Sequence, residues 1–365
     1  MLQTIFAQAP KASYSENDQI EWVMTFENKR LVANSVRISG TLRVQHNGSN
    51  ITHGQNIFMD SQVGIHSFFD NWNISMDNPN IGFVEQLNMY GRYVKQMNQT
   101  NQTSLQCQSE TDKTVELLCG DDTQTAFLLQ GMSDAPSGAS ATKPVPFNFK
   151  PKFCLNKMTA NLPYKKSGSI RISVKMTPLI NALYGSTVDS TTTYTIENLE
   201  LHYQVVPDTG AGGDLVMETS TMIRTMISST NQNVSSKVPL VSYAVTGNFI
   251  KSSESNTYAN NSFKMAEPPS VDRVTFHIND NNQLVSFPLI SQEEILLNYL
   301  DATGSSRYND LRLSKLREGE SYGVGLNFGG GVDFTNMKFG MNLLTNVSNA
   351  DPYVLFLFFH GVMKL

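Results

Sequence analysis

At 365 residues the chain exceeds one ordinary domain, and its 40% hydrophobic content allows two sizeable cores. Charged residues reach only 16%, which excludes a helical bundle rich in Glu, Lys and Ala; Asn, Ser, Thr and Gln fill the difference, as in a β protein with polar loops. A formal net charge of −5 excludes a global basic field for holding nucleic acid.

Residues 1–18 have no clear period and read as an arm. Ile20, Trp22, Met24 and Phe26 then alternate with Glu21, Val23 and Thr25, a strand with one richly apolar face. Val36, Ile38, Leu42 and Val44 repeat the pattern against Arg37, Ser39, Thr41 and Arg43. Asn47-Gly48 is a hairpin turn signal. Residues 57–69 and 72–76 are shorter apolar runs that read as strands. Asn78 as N-cap, Pro79 at the first helical position and an apolar stripe of Ile81, Val84, Leu87, Tyr90, Val94 and Met97 predict a helix of about 18 residues. Residues 99–142 form a long polar insertion, which inside a compact domain demands a function. Residues 147–153 read as a Pro-flanked strand, and Ile170, Ile172, Val174 and Met176 mark another. The longest strand spans 194–206, with Leu199, Leu201, Tyr203 and Val205 alternating with Glu200, His202 and Gln204. Pro207 stops it, and Gly210, Gly212 and Gly213 make 208–214 a flexible linker.

The second half repeats this order in shorter form. Val241, Tyr243, Val245 and Phe249 mark a strand, followed by a polar loop at 252–269. Val274, Phe276 and Ile278 mark the next; Asp280-Asn281-Asn282 reads as a turn and 284–289 as the returning strand. Ser291 and Glu294 form a capping box, with Ile290 and Ile295 placed for a hydrophobic staple. That helix runs to about Thr303, with Gly304 as its stop. Tyr322, Val324, Leu326 and Phe328 form a strand, and the apolar run 353–365 closes the chain. One architecture used twice, with a large insertion in the first copy, accounts for the pattern.

Catalytic and ligand motifs are missing. Neither a P-loop nor a GxSxG elbow occurs. His46, His53, Asp60 and His66 match no familiar metal spacing and read as ordinary loop and strand residues. Cys107, Cys119 and Cys154 lack a CxxC spacing, and so sparse and odd a count fits a reducing compartment. Gly329-Gly330-Gly331 reads as a bulge or a point of close approach, the alternative being an anion nest. Asp121-Asp122 and Glu293-Glu294 are adjacent pairs, whereas a glycosidase needs carboxylates facing across a cleft; Glu294 is already explained by capping. Trp22 and Trp72 are few for a sugar-stacking groove. Lys143, Lys150, Lys152, Lys157, Lys165 and Lys166 read as a solvated face, the alternative being an inner surface touching lipid or nucleic-acid phosphate. The acidic group Glu110, Asp112, Glu116, Asp121 and Asp122 reads as a solvated loop. Eight Asn-x-Ser/Thr sequons follow from an Asn-rich composition. The N-terminal segment lacks the charged and apolar regions of a signal peptide, and 353–362 is too short to span a bilayer as a helix. No catalytic, cofactor-binding or metal residue, and no cofactor, is expected.

Three segments carry a resemblance: SVRISGTLRV at 35–44, HSFFDNWNISMDNPNIGFVEQLNMYGRYV at 66–94, and the closing block SIRISVKMTPLINALYG followed by YTIENLELHYQVV within 169–206. In layout the chain resembles the double jelly-roll major capsid proteins of tailless icosahedral viruses, including membrane-containing phages, adenoviruses, virophages and polinton-like viruses. The resemblance implies an all-β fold of two consecutive eight-stranded jelly-roll barrels with one short helix each. It places an N-terminal arm at 1–18, a first jelly roll at 19–207, a linker at 208–214 and a second jelly roll at 215–365. It implies a non-enzymatic structural protein of the virion that forms pseudo-hexagonal homotrimers tiling an icosahedral shell, with 99–142 as an outward tower loop. The implied partners are further copies of itself, neighbouring capsomers, penton and minor capsid proteins and, in some members, an internal membrane, but no sequence-specific nucleic acid. Synthesis in the host cell without a secretion signal is expected. The competing readings are a viral or surface β-sandwich that binds a receptor or glycan, and a jelly-roll hydrolase, for which no carboxylate pair nominates itself.

Overall fold

The computed structural model describes residues 1–51, 55, 57–60, 63–99, 127–128, 144–210, 215–238, 241–265, 271–279, 282–284, 288–303, 323–347 and 352–365. The first half contains β1 (Leu2–Ile5), β2 (Ser13–Tyr14), β3 (Gln19–Met24), β4 (Lys29–Leu31), β5 (Arg37–His46), β6 (Ser49–Asn50), β7 (Phe58–Met59), β8 (Phe69–Met76) and β9 (Phe83–Leu87). It continues with α1 (Tyr90–Gln99), β10 (Phe127–Leu128), β11 (Val145–Phe149), β12 (Leu162–Pro163), α2 (Tyr164–Ser167), β13 (Ile170–Met176), α3 (Leu179–Ala182) and β14 (Thr192–Pro207). The second half runs β15 (Val216–Ile227), β16 (Asn231–Lys237), β17 (Val241–Lys251), β18 (Val271–Ile278), β19 (Asn282–Gln283), α4 (Gln292–Ala302), β20 (Val324–Asp333), β21 (Lys338–Thr345) and β22 (Tyr353–Lys364).

Both halves obey one strand order. In the second half, β15-β22-β17-β20 form one sheet and β16-β21-β18-β19 the other. Counting from β15, that is first-eighth-third-sixth facing second-seventh-fourth-fifth, the order of a jelly roll. In the first half β1 and β2 together take the first place. They pair with β14, β14 with β5 and β5 with β11, while β3-β13-β8-β9 form the facing sheet. In each roll the long helix, α1 or α4, follows the fifth strand.

Residues 1–18 are therefore not a free arm but supply the first strand of the first roll. Leu2–Ile5 pairs residue by residue with Gln204 to Leu201, and the Met1 ammonium donates to the Val205 carbonyl at 2.7 Å. Leu-Gln-Thr-Ile has no two-residue period, because this stretch is held by its backbone ladder and not by an apolar face.

A second correction concerns the first helix. Residues 83–87 form strand β9 against β8, and the helix begins only at Tyr90. Asn78 caps a turn instead: its carbonyl accepts from Ile81 and Gly82, and its side-chain oxygen from Asn80 N at 3.0 Å. Met89, at φ 52°, breaks the backbone between strand and helix. The apolar spacing suited a helix throughout, but pairing in a sheet overrides so weak a preference.

Other expectations match in detail. Asn47 and Gly48 have φ of 53° and 73°, as the two-residue turn between β5 and β6 requires. The capping box on α4 is present, with Glu294 N donating to Ser291 Oγ at 3.1 Å and the Glu294 carboxylate accepting from Ser291 N. The staple is not: Ile290 is 66% exposed. Gly329–Gly331 sit in a bulge, four residues from Phe328 opposing Tyr243 alone. Strand β14 reaches sixteen residues by a similar device, since Asn198 and Leu199 oppose only Gly40. A Cβ on Gly40 would stand 2.8 Å from the Phe147 ring, so glycine is needed there. Strands β15 and β16 have no clean alternation, and β16 buries only Val234, so neither leaves a two-residue period to read. Of the 99–142 segment, residues 100–142 apart from Phe127 and Leu128 lie outside the described residues, as do Lys143, Gly304, Tyr322, most of the 208–214 linker and the turn at 280–281.

Candidate functional site: the seam between the barrels

The two rolls are fused side by side. Strand β15 of the second lies parallel to β9 of the first at Thr221 and Gln86, so one sheet of eight strands runs through both. The apolar cores meet as well. The first cluster includes Leu215, Met217, Ile250, Val354, Phe356 and Phe358 from the second half. The second cluster takes Leu355, Leu357 and Phe359 from the same closing strand. Strand β22 is thus apolar on both faces because both are buried, one in its own barrel and one under the first. That is the physical reason for the unbroken run Val354–Phe359 where β14 shows alternation.

Helix α1 fills the space beside β22. Tyr90 to Gln96 are buried all round, which forces its polar groups to find partners. Gln96 Oε1 accepts from Asn248 Nδ2 at 2.9 Å, and Lys95 Nζ donates to Asp60 Oδ2 at 2.7 Å. Asn261 of the second half bonds the same Asp60 oxygen at 2.7 Å. Gly91 lets Phe263 lie against the helix: a Cβ there would stand 2.4 Å from the ring.

Glu85 ties β9 across the seam. Its carboxylate accepts from Ser220 N at 3.0 Å and Cys154 N at 2.8 Å. Burial pushes its carboxyl up; Lys157 and these two N–H groups oppose that. Burial works against the Lys157 ammonium, but Tyr93 and Glu85 outweigh it and hold the group protonated. Lys157 donates to the Tyr93 hydroxyl and sits 4.7 Å from that ring's centroid. His360 donates to or accepts from Thr246 Oγ1 at 2.8 Å; burial, then Lys157, push its pKa down to about 3. Burial and Glu85 together push the Cys154 thiol up, so it is an inert core thiol. Among the described residues the charged groups of the cluster are engaged with one another and with backbone N–H groups.

The residues singled out in the sequence scatter. His66 is buried against Tyr90 and Phe149, and His46 lies beside Thr192 and Asp189. Asp60 serves Lys95, and His53 lies outside the described residues. Among the described residues no cluster of three metal-ligating side chains forms. Trp22 and Trp72 are core residues, unavailable for stacking on a sugar. Glu294 is occupied by its cap, and Asp121 and Asp122 lie outside the described residues. Lys157 departs from the solvated face expected for its run, and Lys166 Nζ bonds the Leu365 carbonyl at 2.7 Å. Among the described residues no helix is long and apolar enough to cross a membrane. The seam residues Glu85, Arg92 and Lys95 escaped notice in the sequence, because their partners lie far along the chain.

Neither a protein-family model nor a curated protein sequence matches the chain. Solved structures do. The Faustovirus major capsid protein aligns with a TM-score of 0.63 at 8% identity, covering 100% of this chain and 90% of that one. A chain of the Sputnik virophage gives 0.61 at 10% identity, covering 100% and 86%, and VP54 of PBCV-1 gives 0.59 at 7% identity, covering 100% and 94%. At such identities the likeness is one of fold, and it runs the length of the molecule: the chain has the double jelly-roll fold found in viral major capsid proteins.

Proposed function

We propose that this chain is a major capsid protein, three copies of which close into a pseudo-hexagonal tile of an icosahedral shell. The observation that carries the reading is the repeated strand order, fused by a buried seam into one unit. A trimer of such units presents six similar barrels around one axis, and a three-fold closed assembly needs one interface type repeated. The low charge content supports this, since uncharged polar faces are buried between subunits without the desolvation cost of ions. On this reading the protein resides in the virion and works by tiling, not turnover. Penton and minor capsid proteins, with an internal membrane where one exists, are its further partners. The glycan-binding alternative loses both tryptophans, Trp22 and Trp72, to the core.

Light scattering on the purified chain tests this. A monomer is 40.6 kDa, so three copies give about 122 kDa. A six-lobed, roughly hexagonal outline in negative-stain images is expected alongside that mass. A clean monomer at micromolar concentration would overturn the proposal.

A further inference from the structure

At the seam lies a small cavity whose lining includes Arg92, Lys95, Asn248, Phe263, Phe356 and Phe358. It holds about 10 Å³ of water-sized space, room for one water or one monatomic ion. Two of its polar liners are already engaged. Lys95 bonds Asp60, and Asn248 bonds Gln96 and, at 3.2 Å, the Tyr299 hydroxyl. Arg92 is different. It is 6% exposed, and its Nε has no hydrogen-bond acceptor. Its guanidinium lies 4.7 Å from the Phe356 centroid and 5.9 Å from that of Phe263. Arg224 approaches the same Phe356 ring at 5.9 Å, bringing a second guanidinium to it. Among the described residues Arg224 acts against the Arg92 charge, while Asp60 and Asp70 support it; Asp60 also pairs with Lys95, and Lys175 acts on Asp70.

We propose that this cavity binds one small monovalent anion, a halide in size and charge, which accepts the Arg92 Nε–H between the two barrels. The size of the cavity excludes carboxylates and phosphates. The lining includes the rings of Phe263, Phe356 and Phe358, and apolar surroundings suit a weakly hydrated anion better than a strongly hydrated one. Burial, then Arg224, push Arg92 down to about 9, so it still carries its charge at neutral pH, and a bound anion would relieve that pressure. Residues of both rolls line the cavity, so it exists only while the seam is closed. An anion that binds only there stabilises the closed form by mass action. The inference does not depend on the capsid reading.

The test uses the full chain in sodium gluconate, with chloride or bromide exchanged in at constant ionic strength. A rise in unfolding temperature of about 2–4 °C, growing with the logarithm of halide concentration, is expected for the wild type. The rise should vanish in Arg92→Met. Bromide-soaked crystals of the unmodified protein should show an anomalous peak in contact with Arg92 Nε, a readout that does not require the variant to fold. No peak at Arg92, meaning water alone fills the space, would overturn the proposal. So would an equal rise in Arg92→Met.

Discussion

Replacing Phe358 by Ala tests the two-faced burial of the closing strand. Phe358 is fully buried on the seam side of β22, 5.6 Å centroid to centroid from Tyr93 of α1. Its neighbour Phe359 faces the second barrel's own core. If both faces are interior, each Phe→Ala change costs about 3–5 kcal/mol in lost transfer energy and residual cavity. If the seam face were solvated, Phe358→Ala would cost about 0.5 kcal/mol or less. Unfolding entropy is about 2.1 cal/mol/K per residue, so a 365-residue chain melting as one unit loses about 1 °C for each ~0.8 kcal/mol. Both variants should then melt about 4–6 °C below the wild type when followed by circular dichroism. Phe358→Ala melting within about 1 °C of the wild type, while Phe359→Ala falls by the full amount, would refute the two-faced reading.

The buried imidazoles set an acid limit. Burial, then a nearby lysine, push His66 and His360 down to about 3 from an ordinary 6.5. The stability they contribute is complete above pH 6.5 and is lost on acidification towards 3, at about 1.4 kcal/mol per pH unit for each. His360→Gln should make the fall in urea midpoint between pH 6.5 and 4.5 shallower by one such increment, and an unchanged slope would show that His360 is not the group involved. Gly91→Ala should destabilise by about 1–3 kcal/mol, because its Cβ meets Phe263. Phe263→Leu should recover most of that loss, and equal losses in both backgrounds would remove the contact from the explanation. Ser291→Ala should cost about 1 kcal/mol through α4, read from urea midpoints. A neutral result would mean that the α4 cap contributes nothing to global stability.

Much of the fold is written locally. Strands β3, β5, β13 and β14 each bury one face and expose the other to a lesser degree, so a two-residue period survives in their residues. The Ser291 cap and the Asn47-Gly48 turn are short-range devices that need no tertiary knowledge. Strand β1 left no such trace, since its hold is a ladder to residues about two hundred positions away. Strand β9 was misread because its apolar residues fit a helical stripe and its true partners, Trp72 to Ser75 and Thr221, are fixed only by the assembled sheet. The seam had one sequence signal, the apolar run from Val354 to Phe359 without a polar break. A strand with no polar side has no solvent side, which already implied a second layer packed on it. Its charged members gave none, because Glu85 meets Ser220, and Asp60 meets Asn261, only once the halves are joined.

That closing run has a consequence for any attempt to cut the molecule in two. A fragment ending at the linker would leave the first core without Met217, Phe356 and Phe358, and one beginning there would turn those side chains to water. Each piece alone carries a sticky flank that invites precipitation, and the two polypeptides should become soluble only when made together, recovering the whole by fragment complementation. The duplication visible in the strand order has therefore ceased to be a pair of separable modules: each copy has become part of the other's interior.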